Sequence, residues 1–96
     1  MNLYHVKAPD SHNGWDIYSD MVVAALSAEL AILHHPSGRN IRWHPSKGWI
    51  LPIEWDLPDA YPDDSWPSPS DLTVQYIGTA TGGMTPRVIC ASFHAG

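Results

Sequence analysis

Cysteine, cations and long apolar runs are what this chain has least of. A single cysteine, Cys90, excludes an internal disulfide and a cysteine-rich zinc site. It lies between Ile89 and Ala91 in an apolar run, where a buried small hydrophobe is expected rather than a nucleophile. No segment is apolar for long enough to span a bilayer, and the opening Met1–Lys7 stretch lacks the apolar centre of a signal peptide. A soluble protein of the cytoplasm is therefore expected. Charged residues make up only 16 %, which argues against disorder driven by charge.

The shortage of cations is local as well as global. Arg39, Arg42 and Lys47 fall close together, and from Gly48 to Pro86 there is no lysine or arginine at all. The same stretch carries six acids, Glu54, Asp56, Asp59, Asp63, Asp64 and Asp71, within a chain of formal net charge −5. Such a segment disfavours DNA or RNA as a direct partner, since phosphate binding needs clustered cations. It suits a basic protein surface instead.

What is plentiful is rigid. Ninety-six residues with 44 % apolar composition suggest one domain with a small core, and five tryptophans can supply much of its buried area. Most of those rings are expected inside. Tyr4 and Val6 alternate with Leu3, His5 and Lys7 as a half-buried first strand. Pro9–Gly14 is a loop, after which Trp15, Ile17 and Tyr18 re-enter the fold. Met21–Ala25 is apolar on both faces and reads as a central strand. Ser27 is a good N-cap for a helix over residues 28–35, stopped by Pro36 and Gly38. Residues 40–44 and 48–51 predict a hairpin.

From Pro52 to Pro69, prolines and acids alternate with Trp55, Leu57, Tyr61 and Trp66. That proline density predicts an irregular excursion that packs through rings and projects carboxylates. Two closing strands around Thr81–Pro86 complete the chain, with Val88, Cys90, Ser92 and His94 on one side and Ile89, Ala91, Phe93 and Ala95 on the other. The expected fold is α+β: a small antiparallel sheet of about four strands, an extra hairpin and one short helix on one face.

Catalytic chemistry finds no signature. There is no G-x-S-x-G, no phosphate loop, and His34, His35 and His44 do not have zinc spacing. His12 with Asp10 or Asp16 has the make-up of an acid–base pair, but polar loop residues at those spacings usually shape turns. No catalytic residue, metal ligand or cofactor is assigned. Two binding surfaces remain. One is the acidic excursion, where Trp55, Asp56, Asp59, Tyr61, Asp63, Asp64 and Trp66 have the composition of an interface anchor with a charged rim. The other is the region of Arg39, Arg42, Trp43, His44, Lys47 and Trp49, able to cradle a phosphate and stack a base.

Four stretches resemble a family of small bacteriophage-encoded proteins: 18–25, 35–38, 74–80 and above all the closing 88–96 run, Val-Ile-Cys-Ala-Ser-Phe-His-Ala-Gly. The resemblance covers about half of the chain and leaves residues 39–69 unmatched. It brings no catalytic residues. It implies a phage accessory protein in the host cytoplasm, non-enzymatic, that binds and inhibits a host protein; an anti-CRISPR or other anti-defence role is its most concrete form. A small-nucleotide sponge is the alternative and a structural virion component the third reading. A homodimer stays open.

Overall fold

The computed structural model describes residues 1–12, 14, 17–63, 65–80, 83 and 85–94, the last by its backbone alone. Trp15, Asp16, Asp64, much of the 81–84 turn, the His94 side chain and the 95–96 tail, for all of which the sequence carries an expectation, lie outside the described residues. The elements run β1 (Asn2–Lys7), β2 (Ile17–Ala25), α1 (Ala28–Ala31), β3 (Arg42–His44), β4 (Gly48–Ile50), β5 (Thr73–Thr79) and β6 (Arg87–His94). This is the expected order. A four-stranded antiparallel sheet ordered β5-β1-β2-β6 stands beside a separate β3–β4 hairpin.

The central pair follows from its side chains. Tyr4 faces Val23 and Val6 faces Met21 across β1 and β2, and all four are buried. The core continues through Ala25, Ala31, Ile41, Trp49 and Trp66. On the opposite side of the sheet His5 lies across from Val22 and Lys7 from Asp20, and His5 Nε2 meets Asp20 Oδ2 at 2.8 Å. A sheet with one packed and one open face gives the in–out alternation that β1 shows.

The closing strands depart from the sequence reading in two ways. They do not pair with each other: β5 bonds to β1 and β6 to β2, on opposite edges. Each finds a free edge of the β1–β2 pair, where its backbone groups gain a hydrogen-bonding neighbour. The strict alternation in β6 is also broken. Val88 stands opposite Val23, which faces the core, while Cys90 stands opposite Val22, which does not. Ile89 is therefore the extra residue of a β-bulge, and Val88 joins the side of Ala91 and Phe93. Cys90 is exposed rather than buried, because it stands on the open face of the edge strand β6, opposite Val22.

The helix is shorter than its pattern suggests. Ser27 caps it, Oγ accepting the Leu30 N–H, but the chain leaves helical geometry after Ala31. The bonds Leu33 N–H to Leu30 O and His34 N–H to Ala31 O tighten the exit into a three-residue turn. That turn lets His35 and Pro36 point inward while Leu30 and Leu33 stay exposed. Among the described residues, no helix is long and apolar enough to cross a membrane.

Candidate functional site

Among its described residues the acidic excursion forms no strand or α-helix; its regular parts are 3-10 turns at Pro52–Glu54 and Pro69–Asp71. It is nevertheless held at both ends. Lys47 Nζ donates to the Trp55 carbonyl at 2.6 Å and to the Leu57 carbonyl at 3.0 Å. The Trp55 ring lies on His44, centroids 4.6 Å apart. Pro62 packs over Gly48, where a Cβ would sit 3.3 Å from the proline ring and the backbone has φ +86°. Glycine is therefore needed there both for space and for conformation. Further on, Asp63 N–H donates to the Trp49 carbonyl at 2.8 Å, and Trp49 Nε1 donates to the Pro67 carbonyl at 2.8 Å.

Lys47 thus works as a staple, its ammonium taking two carbonyls that would otherwise face solvent. Lys47→Met keeps the stem and removes the charge-assisted bonds, each worth on the order of 1.5–3 kcal/mol at most. The expected outcome is cleavage within residues 52–60 at lower protease concentration, with only a small fall in the urea midpoint.

Behind the excursion lies a polar knot that the sequence reading did not find. His35 is buried, with its ring edge-on to Trp49 and Tyr18. Its Nδ1 accepts the Ser37 N–H at 3.2 Å and lies 2.9 Å from Ser37 Oγ. A backbone N–H can only donate, so the proton of the neutral ring sits on Nε2, which faces Asp63 Oδ1 and Ser65 Oγ, each at 3.5 Å. Burial pushes the His35 pKa below its usual value; Asp63 pulls it back up, and Arg39 lowers it further. For Asp63, burial pushes the carboxyl up, but the Ser65 hydroxyl and N–H and the His35 ring outweigh it and leave the pKa lowered. Ser–His–Asp chemistry is not the outcome, because Ser65 Oγ hydrogen-bonds Asp63 itself and the imidazole is walled in by rings.

The residues picked out on the excursion therefore separate. Trp66 is 3 % exposed and belongs to the core, and Asp63 is half-buried against His35. Trp55 is half-buried on His44. Asp56, Asp59 and Tyr61 are exposed, Tyr61 at 88 %. Two apolar residues absent from the first selection join them, Ile53 at 84 % and Leu57 at 49 %. Proline-rich context hid them, since no periodicity marks an outward side chain there. Glu54, Asp56 and Asp59 make no ion pair among the described residues. The result is an anchored loop that presents three apolar side chains among uncompensated carboxylates.

The second group separates as well. Trp49 is core, Trp43 packs edge-on against it at 5.4 Å, and His44 and Lys47 serve the excursion. Arg39 and Arg42 alone turn to a common cleft. His12, considered with Asp10 or Asp16, instead lies 3.1 Å from the Ser65 carbonyl and edge-on to Trp66. Among the described residues no three His, Cys, Asp or Glu side chains converge on a common point. No protein-family model, curated protein or solved structure matches the chain.

Proposed function

We propose that the protein is a non-enzymatic binding protein whose contact surface is the outer side of residues 53–61, and whose partner is a protein with a basic surface. The observation that carries this reading is the exposure of Ile53 and Tyr61, at 84 % and 88 %, on a loop that is anchored at both ends. Isolated exposed apolar residues need no explanation, but a held loop that projects an aromatic and two aliphatic side chains costs solvation and gains nothing for its own fold. The unpaired Glu54, Asp56 and Asp59 supply the charged rim that selects a cationic partner and speeds its approach. Pre-anchoring lowers the ordering cost of binding. On the strength of the resemblance to small phage proteins, the partner is a host protein, and inhibition of a defence system such as CRISPR is the concrete form of the role.

The test uses wild type and an Asp56→Asn/Asp59→Asn/Tyr61→Ala variant as baits for host lysate, followed by titration of the purified partner. The variant sites are exposed, so unchanged circular dichroism is expected. Tyr61→Ala alone should weaken the measured Kd by about tenfold or more, the size of an aromatic anchor. Binding should weaken further as salt is raised. Equal affinity of wild type and triple variant for the same partner would remove this loop from the function.

A further inference from the structure

Two of the five cations are committed to neighbours: Lys7 faces Asp10 at 3.5 Å, and Lys47 holds the excursion. The other three, Arg39, Arg42 and Arg87, line one cleft of about 350 Å³. Arg39 lies on the approach to β3, Arg42 opens β3, and Arg87 opens the edge strand β6. His34, His35 and Asn40 add to the polar wall, and among the described residues no carboxylate contributes to it. None of the three guanidinium groups has an ion-pair partner among the described residues.

This segregation runs against the charge of the chain. The chain has ten acids for five cations, yet these three arginines share a cleft with one another. Half of the acids lie on the excursion, while the arginines gather in a concave site, where like charges repel and low-dielectric walls focus the field. Guanidinium forks match phosphate oxygens two at a time, which a lysine cannot do. The cleft also has the size of a small-molecule site. Among the described residues no tryptophan, tyrosine or phenylalanine lines it, so it offers a nucleobase no large ring to stack on.

We propose that this cleft binds a small molecule through a pyrophosphate group, with Arg39, Arg42 and Arg87 as its ligands and without recognition of a base. Arg39 also borders a second cleft beside Glu54, Tyr61 and Asp63, whereas Arg42 and Arg87 line only the first of the two, so variants at those two test this site apart from the 53–61 surface. His34 provides an internal reporter. Its pKa is lowered by burial and then by Arg42. An anion in the cleft offsets the Arg42 field, so the His34 titration moves upward when the site is filled.

The experiment is titration calorimetry and histidine NMR with inorganic pyrophosphate, ADP and chloride at one fixed ionic strength. Pyrophosphate and ADP should both saturate one site with similar affinity, and chloride should not compete. Arg42→Gln and Arg87→Gln should each weaken both ligands by about tenfold or more. Lys7→Gln, at the far end of β1, should leave them unchanged. The arginines are exposed, so these variants should keep the wild-type urea midpoint. Absence of saturable binding at millimolar pyrophosphate overturns the proposal. So does binding that survives Arg87→Gln unchanged, or ADP binding far tighter than pyrophosphate.

Discussion

Trp49→Ala is expected to lower stability by about 3–5 kcal/mol, the cost of removing a fully buried indole and leaving a cavity. A chain of this size has roughly 5–14 kcal/mol in total, so the variant should be partly unfolded at moderate temperature. The reason is connectivity as much as volume. The ring packs edge-on against His35 from the helix exit and Trp43 from the facing strand, and its Nε1 holds the Pro67 carbonyl of the excursion. Three segments that share no strand with the main sheet are joined through it. Trp66 gives the internal control. It is equally buried, yet its Nε1 has no hydrogen-bond partner among the described residues. Trp49→Phe should therefore cost about 1 kcal/mol more than Trp66→Phe, the worth of the bond that only Trp49 makes. Urea unfolding with unchanged slope measures both differences. A Trp49→Ala unfolding free energy within about 1 kcal/mol of wild type would place the core elsewhere.

The same residue shows what the sequence could and could not say about the fold. Tyr4 and Val6 in β1, and the apolar Met21–Ala25 run, reveal their strands because one packed face imposes a period of two. The β3–β4 hairpin was legible for another reason, since Pro45–Lys47 sits between two short apolar segments and Gly48 takes the left-handed turn position. Sheet order was not legible. β5 and β6 each carry the right alternation for a strand, but alternation does not say which edge a strand joins. The bulge at Ile89 was hidden because the residues around it are all compatible with either face. The helix was overread because Leu30 and Leu33 extend its apolar pattern, whereas the chain spends that turn on carrying His35 inward.

For the binding surfaces, charge was legible and contact was not. The cation-free stretch from Gly48 to Pro86 is visible by inspection, and its exposed acids include Asp56 and Asp59. Which aromatic rings face out is decided by anchoring bonds such as Lys47 to Trp55 and Leu57, and those depend on the backbone path. Arg87 could not be joined to Arg39 and Arg42 without knowing that β6 borders β2, which brings the start of β6 to the helix exit. Trp43 and Trp49, adjacent to those arginines in sequence, belong instead to the core side of the hairpin.

Acidification from pH 7.5 to 5 is expected to destabilise the protein, through two histidines that the fold prefers neutral. His35 and His34 both have lowered pKa values, the first through burial, opposed by Asp63 and helped by Arg39, the second through burial and Arg42. The unfolded chain therefore binds protons on these rings at a higher pH than the folded one. Where the unfolded state holds more protons, stability rises with pH. The stabilisation is thus complete above the ordinary histidine value near 6.5 and is lost as pH falls through the lowered folded values. The slope is limited to about 1.4 kcal/mol per pH unit for each proton. His35 should dominate. It is buried among Tyr18, Trp49, Asp63 and Ser65, and a second ring proton would be driven onto the Ser37 N–H. Asp63 adds a later loss, since its lowered carboxyl pKa removes stability as pH falls below about 4. His35→Gln should be less stable at pH 7.5 by about 1–3 kcal/mol, because Ser37 and Asp63 lose their partner. Its stability should also fall more gently between pH 7 and 5, and His34→Gln should remove a smaller share of the slope. Urea midpoints across that range decide the matter, and a wild-type midpoint that stays level or climbs on acidification would mean that neither ring is held neutral by the fold.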